Sequence, residues 1–273
     1  MHSSETLDIA PLMESPLSDI ERVPENLPHD QGVFEHDGYA CRVCLQPKLT
    51  DWETVGGYEA LCHDVVTGEA AHKLFEEAAE NGTLHLITKQ ILNQTAEAFT
   101  HGIHVPISCN ISASEFTQEF VEVMESVRNG LVRQGIDPNL LELEILETEP
   151  VMDEQVPYIL TLHNEGVHFL IDDFGTEYAN IPMVQKLLDA GVKNITIKLD
   201  RSLALNGTAL KVARELRDLF GDIPLVAEGL RRTGEVDNFF ALEHTSVQSF
   251  DVGGKPAPLA DWIRRIADQG GRM

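Results

Sequence analysis

The sequence predicts an α/β fold, a (β/α)8 barrel whose first strand runs antiparallel to its neighbour. Three observations point there. Eight short strand candidates, rich in Ile, Leu and Val, lie between Tyr39 and Phe250. From the third onward each is followed by a segment of helical periodicity, the pattern of parallel βα units. The first two are only about six residues apart, too close for a crossover helix, so they pair antiparallel. Eight strands over roughly 240 residues fit a barrel that needs ~250. An open doubly wound sheet would carry a Gly-rich turn after its first strand, and no G-x-G-x-x-G is present.

The elements follow in order. YACRVCLQP, where the texture changes near Gly38, is the first strand, and TVGGYEALCH the second. EAAHKLFEEAAEN and TLHLITKQILNQTAEAFTHG have apolar residues at helical spacing. VPISCNIS is the third strand, and Ser114 is read as the cap of the helix EFTQEFVEVMESVRNGLVRQG. LLELEIL leads to EQVPYILTLHNEG, VHFLIDDF to IPMVQKLLDAG, and NITIKLD to TALKVARELRDLFG. IPLVAEG leads to EVDNFFALEH, and SVQSF to PLADWIRRIADQ. Residues 1–33, acidic and without periodicity, are expected to be a flexible segment, and 34–273 one barrel domain.

Charge narrows the partners. The 273 residues hold 20 Lys+Arg against 45 Asp+Glu, a formal net charge of −25. Such a surface is unsuited to DNA, RNA or anionic membrane, which need Lys/Arg-rich faces. No apolar run approaches the ~20 residues of a membrane span, and the N-terminus lacks the pattern of a secretory signal. Four cysteines, Cys41, Cys44, Cys62 and Cys109, fit a reducing cytoplasm. Cys41 and Cys44 have CxxC spacing. They fall within a strand, with no second CxxC to complete a zinc site, so a structural role is expected.

A barrel carries its chemistry at the C-terminal ends of its strands. There the second strand offers Glu59 and the third Asn110. The fourth offers Glu144, with Glu147 close behind, and the fifth Asp172 and Asp173. Lys198 and Asp200 follow on the sixth, Glu228 on the seventh and Gln248 on the eighth. Any one of these is unremarkable where a strand exits into solvent. As a set they are not, because Glu59, Asn110, Asp172 and Glu228 are embedded in apolar sequence where an unpaired carboxylate is costly. Oxygen donors of this kind suit Mg²⁺ or Mn²⁺. Their number suits two ions about 3.5–4 Å apart, with Lys198 free for a phosphate oxygen or the attacking water. The reaction class implied is metal-assisted phosphate ester hydrolysis.

These residues resemble an EAL domain, the bacterial cyclic di-GMP phosphodiesterase module. The shared pieces, over roughly Tyr39 to Trp262, are Gln46-Pro47, GYEAL at Glu59, Asn110-Ile111-Ser112 and LELEI followed by Glu147-Thr148. They continue with DDFGT from Asp172, IKLDRSL around Lys198 and Asp200, VAEG at Glu228, and Gln248 before a Phe. The resemblance implies a TIM-like barrel with an antiparallel first strand. It implies Glu59, Asn110, Glu144 and Asp172 as ligands of one metal, and Asp173 as serving a second and the catalytic water. Lys198 would assist that water, and Glu228 would sit by the metals and nucleotide. Gln46, His63, Asp200 and Gln248 would face the substrate, and Glu147 would brace the loop after the DDFG strand. The implied reaction is cleavage of one phosphodiester of cyclic di-GMP to linear pGpG, often by a homodimer.

The departures are equally specific. Family members usually have Arg where this chain has His63, and a neutral imidazole has one donor where Arg has a permanent charge and a fork of them. Glu177 replaces a Gly of the DDFG loop, Leu230-Arg231 replaces Val-Glu after VAEG, Ser249 replaces a Gly and Leu146 a Thr. Two alternatives to turnover therefore stay open. One is a cyclic di-GMP receptor without catalysis, the other a protein-interaction module that has lost the nucleotide.

Overall fold

A computed structural model describes residues 32–268. The expected flexible segment lies almost wholly outside them. Strand β1 (Val33–His36) opens the described chain and turns at once into β2 (Tyr39–Leu49). Then come β3 (Val55–Asp64), α1 (His72–Asn81) and α2 (Leu84–Thr100). Next are β4 (Ile107–Ile111), α3 (Gln118–Arg133), β5 (Leu141–Ile145) and α4 (Val156–Asn164). They are followed by β6 (Phe169–Phe174), α5 (Ile181–Asp189), β7 (Ile195–Leu199), α6 (Arg201–Leu205) and α7 (Ala209–Phe220). The chain ends in β8 (Leu225–Glu228), α8 (Thr233–Phe240), β9 (Thr245–Gln248), β10 (Ala257–Pro258) and α9 (Leu259–Asp268).

Strands β2 to β9 close into the eight-stranded barrel, β2 antiparallel to β3 and every step from β3 to β9 parallel. The apolar runs read from the sequence are buried on both faces, as parallel strands under helices must be. The outer edge of β2 is shared in turn by β1, β10 and β9. The barrel is sealed there by a single pairing, Leu49 with Val247. The other two strands cover what would be an exposed edge. Helix α9 docks beside them, where the indole of Trp262 donates to the Leu45 carbonyl at 3.1 Å and meets the Tyr58 ring edge-on.

Some local expectations change. β1, β10 and the one-turn helix α6 are additions, each too short to show a period. The second strand does not end near Glu59. Glu59 lies midway along β3, which pairs with β4 only over Tyr58–Ala60 but with β2 as far as Cys41 and Asp64. The two strands thus overshoot the barrel rim as an arm, and His63 rides on it. Ser114 is not the helix cap. Ser112 caps a short 3₁₀ turn through a reciprocal box with Glu115, and the Thr117 hydroxyl caps α3 by accepting from the Phe120 amide. Cys41 and Cys44 lie in β2, and all four cysteines are buried and free. No described helix is long and apolar enough to cross a membrane.

Candidate active site

The barrel mouth gathers the predicted side chains around one lysine. Lys198, on β7 and 2% exposed, points into the barrel. Its Nζ is 3.2 Å from Glu59, 2.8 Å from Asp172 and 3.0 Å from Glu228, and also bonds Glu144 Oε1. Four different strands deliver those carboxylates, which is why no local pattern could show the cluster. Glu59 is held further by the Asn110 amide at 2.9 Å and the Gln248 amide at 2.5 Å. Gln46, directly across the sheet from Glu59, is buried beside them.

A second internal cation escaped the sequence reading. Lys48, on β2, lies 3.7 Å from Glu144 Oε2 and donates to Ser108 Oγ at 2.8 Å, which in turn donates to Glu144 Oε2 at 2.6 Å. A lysine within the apolar stretch LQPKL was the available signal, the same kind that marked Lys198. Glu144, fully buried, thus has a cation on each oxygen. Burial alone would push its carboxyl up, but Lys198 and Lys48 outweigh it and hold it down at about 2.

The remaining acids behave oppositely. Burial pushes Asp172 well above the ordinary range, with Lys198 opposing and Glu144 adding repulsion. Burial, then the charge of Glu228, pushes Asp173 up to about 7. Glu228 is raised by burial too. Burial favours the neutral form of Lys198, yet its four carboxylates win, so it remains an ammonium. It can supply charge and hydrogen bonds, not accept a proton.

These residues suit divalent cations. Glu59, Glu144, Asp172 and Glu228 against Lys198 and Lys48 leave a formal charge of 4 − 2 = 2 negative in a buried place. The Asn110 carbonyl oxygen is buried with no hydrogen-bond partner, its NH₂ already spent on Glu59. Carboxylate oxygens of Glu147, Asp172 and Asp173 come within 4.8 Å of one another. Orphaned oxygen donors beside excess negative charge are what a hard cation satisfies.

Not every predicted residue reaches Lys198. Asp200 caps α6, its Oδ1 accepting from the Ser202 amide at 2.9 Å. Glu147 accepts the Tyr178 amide on its backbone carbonyl at 3.2 Å, tying β5 to the loop after β6. His63 stands on the overshooting arm, its Nδ1 3.1 Å from the Gly68 carbonyl. Near the end of β6 and in the loop after it, Asp173 and Glu177 both have positive φ, 42° and 32°, a region unfavourable without glycine.

The model of the family described as EAL domain matches residues 37–248. The chain belongs to the EAL domain family. Among its relatives is the bifunctional diguanylate cyclase/cyclic di-GMP phosphodiesterase MucR of Pseudomonas aeruginosa. It is 27% identical over 169 residues, covering 59% of this chain and 24% of MucR. Another is the probable cyclic di-GMP phosphodiesterase PdeI of Escherichia coli. It is 26% identical, covering 76% of this chain and 27% of PdeI. The chain thus spans about a quarter of the length of these relatives. Its fold is shared with a MucR phosphodiesterase–c-di-GMP complex, at TM-score 0.66 and 22% identity over 81% of this chain and 99% of that one. It is also shared with the manganese/cyclic di-GMP complex of BlrP1 from Klebsiella pneumoniae. There the TM-score is 0.62 and the identity 22%, over 83% of this chain and 58% of that one.

Proposed function

We propose that this EAL domain hydrolyses one phosphodiester bond of cyclic di-GMP to linear pGpG, using Mg²⁺ or Mn²⁺, in cytoplasmic second-messenger signalling. The observation that carries the proposal is the carboxylate ring of Glu59, Glu144, Asp172 and Glu228, with the orphaned Asn110 oxygen beside it. Glu59, Asn110, Glu144 and Asp172 would hold one ion, and Asp173 with Glu147 a second. Bound there, the metals supply Lewis acidity and a water activated at neutral pH. Asp173 would also accept the proton of the attacking water. Lys198 holds three of those ligands, Glu59, Glu144 and Asp172, in place and offers fixed positive charge to the developing oxyanion. Gln46 and Gln248 present amides to the nucleotide, and Asp200 fixes the α6 turn below it. Exposed Tyr178 and Ile181 beside the DDFG loop support a homodimer across that face.

The test is chromatography of cyclic di-GMP incubated with the protein and either metal. Conversion to pGpG, abolished by Glu59→Ala, is expected. No turnover from micromolar to millimolar substrate would refute it. The changed loop at Glu177 and the missing acid at Arg231 favour a second reading, a receptor without turnover, for which calorimetry would show binding with no cleavage. Failure to bind with or without metal would leave only the interaction module.

A further inference from the structure

Cyclic di-GMP carries two phosphates, and His63 lacks the fork of donors that an arginine would offer to either. Its Nδ1 faces the Gly68 carbonyl at 3.1 Å and must donate there. With Nδ1 spent on that carbonyl, the imidazole has none of the forked donors that an arginine would turn toward a phosphate oxygen. Elsewhere on the rim the charge is reversed. A cavity of about 150 Å³ lies beside the carboxylate ring, lined among others by Gln46, Arg201, Glu228, Arg231, Gln248 and Phe250. In a chain of net charge −25, two arginines converge on it, and Arg232 lines the adjoining cavity.

The local backbone brings the arginines together. Gly229 has φ +65°, and a Cβ there would sit 2.8 Å from the Arg201 Cβ. Only glycine lets the turn after β8 approach the start of α6 this closely. Arg201 makes no ion pair among the described residues. Arg231 has Asp251 at 3.4 Å, but both are exposed, so the pair is weak and a phosphate can displace it. Two further groups point to a nucleotide in this cavity. Gln248 is buried with its Oε1 unpartnered, and Phe250 is 57% exposed at the mouth, an aromatic face open to a base.

We propose that Arg201 and Arg231 bind the uncleaved phosphate of cyclic di-GMP, supplying the grip that His63 lacks. This rests on the cyclic di-GMP reading above. It gives the Glu-to-Arg departure at position 231 a purpose, since bidentate arginine–phosphate bonds are strong.

Calorimetric titration of cyclic di-GMP into the full chain in EDTA tests it, together with KM in Mg²⁺. Arg231→Glu and Arg201→Gln should each weaken binding about tenfold or more, and the double variant about a hundredfold. KM should rise more than kcat falls. Adding His63→Arg to the double variant should recover at least tenfold. Increasing NaCl should weaken the wild type more than the double variant, a response that a merely structural role would not give. Unchanged melting temperatures certify folding of these exposed-site variants. Wild-type binding or turnover with both arginine variants within twofold of it overturns the arginine pair and spares the nucleotide reading. Wild-type protein that neither binds nor turns over cyclic di-GMP overturns both.

Discussion

Replacing Lys198 by Met removes the charge at the centre of the carboxylate ring while keeping most of its volume. Three of its ion pairs lie at 2.8–3.2 Å. At an effective dielectric near 20 each such pair is worth ~5 kcal/mol before desolvation is subtracted. Breaking a buried pair by deleting one partner costs roughly 3–5 kcal/mol net, because the other charge is stranded. The stranded acids have an escape, which is protonation. Asp172, Asp173 and Glu228 already have raised values in the folded protein. Groups of that kind contribute stability below their unfolded pKa, and lose it as pH rises through the folded value. For Asp173 this window runs from the ordinary carboxylate range to about 7. Without Lys198 all these values rise further. Urea denaturation in EDTA should therefore show a loss of about 3–5 kcal/mol at pH 8 that shrinks to ~1–2 at pH 5.5. A Lys198→Met protein as stable as wild type at pH 8, or one whose deficit grows toward acid, would refute this electrostatic account.

Three further outcomes are expected. Mn²⁺ affinity, read by calorimetry, should rise about tenfold per pH unit per displaced proton below pH 7 and flatten above it, since Asp173 must lose its proton to ligate; a flat profile would exclude Asp173. Arg128→Ala should cost roughly 2–4 kcal/mol in urea unfolding, since its buried guanidinium bonds Pro138 O, Asn139 Oδ1 and Glu165 O at 2.7, 3.1 and 2.6 Å; a loss under half a kcal/mol would contradict it. Glu177→Gly should be neutral or stabilising by up to about 1 kcal/mol, against the usual penalty for glycine, because φ there is +32°; a full kcal/mol lost would show that the Glu177 side chain matters more than its backbone.

The barrel was legible because parallel strands buried on both faces are apolar throughout, and the long helices between them are periodic. Residues whose role depends on strand ends were legible as well, since an acid amid Ile, Leu and Val is conspicuous. Contacts made across the barrel were not. Lys48 is on a strand whose acid partner, Glu144, is on a different one, so its two-sided hold on Glu144 exists only after closure. Ser114 resembled a cap, yet the chain turns at Ser112 and Thr117, because a 3₁₀ turn intervenes. His63 gave its chemistry but not its direction, which the turn at Gly68 decides. Arg231 was legible only as a replaced acid and Arg201 only as part of IKLDRSL, because it is Gly229 that lets the turn after β8 approach Arg201.

The single seam between Leu49 and Val247 has a bearing on how the molecule is made. Those residues are about 200 apart in sequence, so their meeting carries the largest loop-closure cost in the barrel and should come late in folding. The neighbouring parallel pairs can form earlier, each from a short βα unit. Gln46 stands on one side of the seam and Gln248 on the other, and Glu59 receives its bond from Gln248 only once the two sides meet. A partly folded chain therefore lacks the cavity lined by Gln46 and Gln248 altogether. The cavity is in this way a property of finished molecules, and amide exchange along β2 and β9 would report the last event of assembly.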